Sequence, residues 1–269
     1  MRKLSSQIIV VIFIGFIIIP IVFLAIWSLS TRWPWPLLYP ESITIKWWNQ
    51  VLFESKGFYL GLKNTLIIGI STAIVGVGLS IPIGKYLVQK KSYIKSILEG
   101  VFFLPIILSP LTITLGLYQT FSKWNLTGSM IGVIIAHLIP CLPYGIRIMK
   151  ISFEHFNEKY LEQGKMLKAS KRQRQIYIIF PFLRPGIIAA FHLMLLISMS
   201  QYILTIFIGT GKIQTLASQM YPYLNGGNMS IGGVYSLLFA LIAILMLLIV
   251  EYILKKYLDR PVKSKSNLK

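Results

Sequence analysis

Six stretches of this chain are apolar and long enough to cross a lipid bilayer, and they constrain the fold more than any other feature. The first covers residues 8–29 without a charged side chain. As a helix it would rise about 33 Å, against roughly 30 Å of hydrocarbon in a bilayer. Because backbone N–H and C=O groups find no partners in lipid, such segments must be helical. The sequence therefore predicts an all-α membrane protein with six transmembrane helices. The other five stretches are residues 62–87, 97–121, 130–149, 186–208 and 231–254.

The positive charge of the chain is unevenly distributed among the loops that join these stretches. The net charge of +19 would by itself suggest a nucleic-acid-binding protein. Only 13% of the residues are charged, however, whereas a soluble domain has about 25%. If both termini are cytoplasmic, 21 of the 27 Lys and Arg residues lie on the cytoplasmic side, as the positive-inside rule requires. We therefore expect both termini in the cytoplasm, with membrane lipid and not nucleic acid as the partner of this charge.

These stretches divide the chain into three predicted parts. Residues 1–61 form the first transmembrane helix and an outer segment rich in Trp and Pro, of the kind found at membrane interfaces. Residues 62–255 form a transmembrane domain of five spans, with a basic loop at residues 151–185, and residues 256–269 form a cytoplasmic tail. In the second span, small residues repeat every three or four positions, which predicts close packing against another helix. They are Gly69, Ala73, Gly76, Ser80 and Gly84.

The predicted spans carry no group that would drive transport or catalysis. All eight carboxylates fall in loops or at the ends of spans, whereas ion-coupled transporters usually keep one inside the bilayer. The phosphate-binding pattern G-x-x-x-x-G-K-[ST] is absent, and so are a metal-ligand cluster and a hydrolytic constellation. The two histidines within spans, His137 and His192, are predicted to be hydrogen-bonded packing residues, and the single cysteine, Cys141, a buried thiol. The carboxylates are Glu41, Glu54, Glu99, Glu154, Glu158, Glu162, Glu251 and Asp259.

Polar residues within two spans are candidates for lining a translocation pathway. Pro105 and Pro110 interrupt the third span and predict a kink, which membrane helices tolerate where protein or a cavity satisfies the freed backbone groups. The alternative for the hydroxyl side chains is hydrogen bonding to the carbonyls of their own helix, or to a neighbouring helix. The six candidates are Ser109, Thr112 and Tyr118 in the third span, and Ser198, Gln201 and Tyr202 in the fifth.

The longest polar interval between spans runs from Tyr160 to Ile187 and is strongly basic. Ser170 and Gln173 form a capping-box pattern, in which a Ser side chain accepts from the amide three residues on while the Gln reaches back. Pro181 and Pro185 mark the return to apolar sequence. These signals predict short helices in a cytoplasmic loop between the fourth and fifth spans, and we interpret the loop as a docking surface.

The same loop carries the pattern Glu-Gln-Gly, then Ala-Ser, Phe-Pro and Pro-Gly. It resembles the "EAA" loop of the permease subunits of bacterial ABC importers, which have the MetI-like fold. The second-span sequence LKNTLIIGISTAIVGVGLSIPIGKYL and the third-span sequence LPIILSP resemble the spermidine/putrescine-type branch of that family. The resemblance covers about residues 60–255. It implies a set of ATPase-coupling residues: Glu162, Gln163, Gly164, Lys168, Ala169, Ser170, Pro181, Pro185 and Gly186.

The resemblance also implies partners and a mechanism. Two permease subunits, identical or different, form the pathway in the bacterial inner membrane, and an extracytoplasmic binding protein delivers the substrate. Two ATPase subunits receive the loops and hydrolyse ATP, so this chain would bind no cofactor directly and would not be an enzyme. A stand-alone secondary transporter or channel is the alternative. The substrate stays open among polyamines, thiamine, iron, sulfate, molybdate and phosphonates. Lys168 stands where the family usually has glycine, which leaves the geometry of that turn open.

Overall fold

The computed structural model describes residues 2–31, 33, 37–89 and 93–258, so residues 259–269 of the predicted tail lie outside the described part. Within that part the secondary structure is helical, apart from an isolated antiparallel bridge between Ser30 and Ile43. The helices are α1 (Arg2–Ser28), α2 (Lys46–Asn49), α3 (Lys56–Gln89), α4 (Tyr93–Ile107), α5 (Pro110–Lys123), α6 (Met130–Glu154), α7 (Lys159–Met166), α8 (Lys171–Arg174), α9 (Phe180–Ser200), α10 (Tyr202–Gly209), α11 (Leu216–Asn225) and α12 (Met229–Leu258).

Among the described residues, four helical segments are long and apolar enough to cross a membrane: Lys56–Val88, Met130–Glu154, Lys171–Ser200 and Met229–Lys256. The third of these segments begins before α9, because a π-helical turn at Gln175–Ile179 joins α9 to α8. A fifth candidate is the pair α4 and α5, and α1 contributes a shorter apolar stretch within the side chains described. The predicted all-helical membrane fold is therefore confirmed at this level.

Three segments differ from the sequence prediction. The third stretch is not one kinked span, because α4 and α5 meet at a bend of 107°. The fifth stretch is not continuous either: α9 ends at Ser200 and α10 begins at Tyr202. The segment at residues 209–227, between the fifth and sixth predicted spans, contains α11. There Thr215 and Ser218 form a reciprocal capping box that the apolar pattern did not reveal.

The chain forms two compact units, to both of which α3 and α12 contribute. The first comprises Met1–Thr65 and Gln214–Ala243. Side-chain hydrogen bonds hold α11 in this unit: the Asn64 amide donates to the Gln214 carbonyl at 2.9 Å, and the Leu216 amide donates to Thr65 Oγ1, also at 2.9 Å. Its apolar core consists of Val51, Phe58, Leu216, Ile231, Val234, Tyr235 and Leu238.

The second unit comprises Leu66–Ile213 and Ile244–Lys269. The five small residues of the predicted repeat in α3, from Gly69 to Gly84, are all buried, which confirms that this face is internal. A Cβ on Gly84 would lie 2.9 Å from both the Lys150 amide nitrogen and Met149 Cβ, so α3 and α6 approach at backbone distance. The apolar core of the unit consists of Ile68, Phe121, Val133, Ala136, Leu204 and Ile208.

Candidate functional site

The loop between α6 and α9 begins with the short helix α7. After α6 ends at Glu154, the Asn157 side chain accepts from the Lys159 amide at 3.0 Å and begins α7. Glu162 and Gln163 lie in α7 with exposed side chains, whereas Gly164 is buried. A Cβ on Gly164 would lie only 2.8 Å from Ile178 Cδ1. Glycine at this position thus allows a close approach between α7 and the π-helical turn that follows α8.

The end of α7 has the geometry of a Schellman turn, with Lys168 at the left-handed position. The Ala169 amide donates to the Gly164 carbonyl at 3.0 Å, and the Lys168 amide donates to the Lys165 carbonyl at 2.9 Å. Lys168 has φ = 56°, a conformation that costs an L-residue with a Cβ about 1–2 kcal/mol. The turn thus keeps the shape that glycine would favour, and the lysine bears the strain.

A second cap follows at once. Ser170 Oγ accepts from the Gln173 amide at 3.2 Å, and Gln173 Oε1 accepts from the Ser170 amide at 2.7 Å. The capping box predicted from the sequence is therefore confirmed. The guanidinium of Arg174 donates to the Ala169 carbonyl at 2.6 Å and ties α8 to the preceding turn. Together these bonds fix the direction of the chain between α7 and α8.

The return of the loop to the membrane is fixed by close packing. Pro181 lies in the first turn of α9, followed by Pro185 and Gly186. A Cβ on Gly186 would collide with the Ser152 hydroxyl of α6, so glycine allows α9 and α6 to approach closely here. The rings of Phe156 and Phe182 meet edge to face, with centroids 5.2 Å apart. The loop is thereby anchored to both helices that it joins.

The tip of the loop exposes an apolar pair that the sequence reasoning missed. Met166 and Leu167 are each 83% exposed, directly before the strained Lys168. Of the predicted coupling residues, Glu162, Gln163 and Ser170 are also exposed, whereas Gly164 and Gly186 act through packing. Exposed apolar side chains at the end of a rigid, basic turn are typical of a protein-binding surface. A signal was present in the sequence, since Met166 and Leu167 interrupt an otherwise polar segment.

A cavity of about 320 Å³ lies where the interrupted helices of the second unit meet. Leu108 and Pro110 reach it from the break between α4 and α5, and Ser200 and Gln201 from the break between α9 and α10. Irregular backbone at membrane depth is tolerated where it lines a cavity, and both breaks satisfy this condition. The remaining lining residues are Pro105, Ile106, Ile113, Pro140, Tyr144, Ile197 and Leu204.

Of the six predicted pathway residues, only Gln201 lines this cavity. Ser198 is buried, and its hydroxyl is hydrogen-bonded to the ring of His137. Tyr118 meets the ring of Phe207 edge to face, at 6.2 Å between centroids. Ser109 begins α5 without a side-chain cap, and Thr112 is exposed on the first turn of that helix. Tyr202 begins α10 and is half-buried.

The predictions for the buried polar residues can also be compared with the structure. His137 makes two side-chain hydrogen bonds, so its predicted role as a hydrogen-bonded packing residue is confirmed. Cys141 is fully buried, as predicted, with its sulfur 3.5 Å from the Met194 carbonyl. His192 differs from the prediction, because its buried Nε2 has no hydrogen-bond partner among the residues that the structure describes.

Residues 66–264 match the family described as "Binding-protein-dependent transport system inner membrane component". The chain belongs to this family. The match includes the whole loop between α6 and α9 and both broken spans. The resemblance inferred from the loop pattern is thereby confirmed, and the chain is a membrane component of the kind that the family describes.

Curated relatives include several permeases of this type. A spermidine/putrescine transport system permease protein PotC homolog of Mycoplasma pneumoniae is 24% identical over 173 residues, which cover 63% of this chain and 60% of that protein. The molybdenum transport system permease protein ModB of Haemophilus influenzae is 26% identical over 210 residues, 71% of this chain and 91% of that protein. The chain spans about 60% of the length of the PotC homologues that it matches.

Solved structures share the fold at low sequence identity. A bacterial ABC transporter involved in the import of the acidic polysaccharide alginate has a chain that is 14% identical. That match has a TM-score of 0.72 and covers 94% of this chain and 95% of the other. The MetNI methionine ABC transporter, in an inward-facing conformation, gives a TM-score of 0.60 at 15% identity, over 74% of this chain and 95% of the other. At such identities the likeness concerns the fold alone.

Proposed function

We propose that this chain is the transmembrane permease subunit of an ATP-binding-cassette importer, forming part of the substrate pathway and coupling to a separate ATPase. The observation that carries the proposal is the loop between α6 and α9. Two capped helices hold an exposed apolar tip, and the loop is anchored to two membrane-length helices. Such a loop can transmit displacement because its turns are fixed by hydrogen bonds and its ends by close packing.

The proposed topology has six spans with both termini in the cytoplasm. The spans are α1, α3, the broken pair α4–α5, α6, the broken pair α9–α10, and α12. The distribution of Lys and Arg supports this orientation. Thiol labelling of single cysteines introduced at Lys56 and Lys171, in a Cys141→Ala background, tests it: Lys56→Cys should react from outside intact cells and Lys171→Cys only after permeabilisation.

The proposed partners are two ATPase subunits, a second permease subunit and an extracytoplasmic binding protein. The family description, which names binding-protein-dependent transport, supports this assembly. In this scheme, ATP is hydrolysed by the partner, and this chain binds no cofactor itself. Its named relatives include spermidine/putrescine and molybdenum permeases, so the similarity supports import of a small solute without selecting one.

The apolar tip provides the test. Met166→Asp combined with Leu167→Asp should reduce co-purification of the ATPase subunit at least tenfold. The reason is that removing one buried apolar side chain from an interface costs about 1.5–3 kcal/mol, and 1.4 kcal/mol corresponds to a factor of ten. Leu38→Asp is the matched control, because Leu38 is 89% exposed in the outer segment. Undiminished ATPase binding by the double variant, or solute uptake without ATP, would contradict the proposal.

A further inference from the structure

The break between α9 and α10 occurs without a helix-breaking residue. Residues 198–204 read Ser-Met-Ser-Gln-Tyr-Ile-Leu and contain neither Pro nor Gly. At Gln201 the backbone leaves the helix, with φ = −76° and ψ = 82°. The Gln201 amide closes α9 by donating to the Ser198 carbonyl at 3.2 Å. A sharp interruption of this kind requires an identifiable cause, and here the cause must lie outside the local sequence.

A buried ring in α6 bridges the two sides of the break. His137 Nδ1 lies 2.9 Å from Ser198 Oγ, in the last turn of α9. His137 Nε2 lies 3.1 Å from Thr205 Oγ1, in the first turn of α10. Thr205 Oγ1 in turn donates to the carbonyl of Gln201 at 2.6 Å. The imidazole therefore connects both helix ends with the residue at which the chain changes direction.

The donors and acceptors of this bridge can be assigned from their number. The single hydroxyl proton of Thr205 is directed at the Gln201 carbonyl, so Thr205 Oγ1 can only accept from the ring, and Nε2 carries the proton. Nδ1 of the neutral ring then accepts from the Ser198 hydroxyl. Every polar atom of the three side chains is used, as buried polar groups require. An uninterrupted helix would require Ser198 and Thr205 to take positions two turns apart along one axis.

The bridge also determines what faces the cavity. Because the chain turns at Gln201, the side chains of Ser200 and Gln201 line the cavity. The side chain of Gln201 makes no capping hydrogen bond to α10, so it can face the cavity. Pro140, which lies one turn beyond His137 in α6, lines the same cavity. One segment of α6 therefore supplies both the hydrogen bonds of His137 and part of the cavity wall.

We infer that His137 is a positioning residue of the translocation pathway, which holds the break at Gln201 so that Ser200 and Gln201 face the cavity. The role of His137 in transport rests on the proposed function, whereas its role in holding the break at Gln201 does not. His137 itself contacts no solute. It acts through Ser198 and Thr205, and the solute meets neutral hydrogen-bonding groups at Ser200 and Gln201.

A matched set of threonine variants tests the bridge. In a Cys141→Ala background, Ser200→Cys reports access to the cavity through its rate of reaction with a small methanethiosulfonate reagent. Thr205→Val keeps the shape of the side chain but removes the acceptor for His137, and should lower this rate at least fivefold. Thr205→Ser restores the hydroxyl and should return the rate to within twofold. Thr114→Val is the control, because Thr114 is equally buried and bonds the Pro110 carbonyl at 2.7 Å.

Uptake by the complex reconstituted with its ATPase gives the second readout. Thr205→Val should lower the maximal rate or raise KM for the solute, with rescue by Thr205→Ser, whereas Thr114→Val should change neither by more than twofold. An unchanged labelling rate in both Thr205→Val and His137→Asn would overturn the inference. A complex of the unsubstituted chain that shows no ATP-dependent uptake would instead count against the proposed function, and the labelling rates would still decide the role of His137.

Discussion

The two broken spans of this protein end their helices in different ways. Between α4 and α5 the local sequence causes the break. Pro110 begins α5, and Ser109 before it has an extended backbone, with ψ = 136°. Proline disfavours the helical conformation of the residue that precedes it. Between α9 and α10 the sequence around Gln201 would allow a helix, and the interruption is supported by hydrogen bonds from His137, which lies more than 60 positions earlier in the chain.

The first turns that follow the two breaks are otherwise alike. Thr114 in α5 and Thr205 in α10 are both buried, and each donates to the carbonyl four residues before it. Only Thr205 also accepts from a histidine. The comparison suggests that the bend at Pro110 is fixed by the backbone, whereas the break at Gln201 depends on a tertiary contact. A break of the second kind can respond to movement of the helix that holds it, here α6, which leads directly into the loop between α6 and α9.

The largest effect is expected from His137→Leu. This change removes two interhelical hydrogen bonds, each worth about 0.6–2 kcal/mol in a membrane protein, and leaves the Ser198 hydroxyl buried without a partner. We expect the free energy of unfolding in lipid nanodiscs to fall by about 1–3 kcal/mol. Hydrogen exchange at the amide of Ile203 should slow, since a continuous helix would give it the carbonyl partner that the break removes.

Asn is the informative second substitution at the same position. His137→Asn keeps a polar side chain but is too short to reach both hydroxyl groups, so the stability should be partly retained while the break is still lost. If His137→Leu left both the stability and the exchange of the Ile203 amide unchanged, the break would be encoded locally after all, and the contrast with Pro110 would disappear.

Pro110→Ala should alter the shape of the other broken span with a smaller change in stability. Without proline, Ser109 can adopt the helical conformation, and α4 and α5 can merge. Spin labels at Val101→Cys and Leu115→Cys, both exposed positions, in a Cys141→Ala background would then move apart towards about 21 Å, the rise of 14 helical residues. An unchanged distance would mean that tertiary contacts, and not proline, impose the 107° bend.

The contrast between the breaks also explains how much of the fold could be predicted. The apolar stretches, the internal face of α3 and the interruption near Pro110 follow from local composition and spacing. The severity of the bend, the break at Gln201 and the helix α11 do not. They depend on partners such as His137 and Thr65 that are distant in sequence, and no local pattern reports a distant partner.

The loop between α6 and α9 was the more predictable of the two candidate sites. Ser170 and Gln173 form the capping box that their spacing predicts, because a cap is a contact between near neighbours. The roles of Gly164 and Gly186 as contact points became clear only from the side chains that crowd them, Ile178 and Ser152. For the translocation pathway, residue type alone selected six polar candidates, and of these the structure places only Gln201 at the cavity. Residue type is a weak guide here because hydroxyl groups in helices readily bond to a carbonyl of their own helix or to a neighbouring helix.

The smallest predicted effect concerns a turn that is strained but not broken. Lys168→Gly should relieve the left-handed conformation and stabilise the turn by about 0.5–1 kcal/mol, after allowing for the greater entropy of glycine in the unfolded chain. The protection of the Ala169 amide, which bonds the Gly164 carbonyl, should therefore rise about two- to fivefold in hydrogen exchange. Lys165→Gly is the matched control with the opposite sign, because Lys165 lies within α7, where glycine costs about 1 kcal/mol. Equal losses of protection in both variants would mean that the backbone at Lys168 is not strained, and that the turn is held by tertiary contacts as the break at Gln201 is.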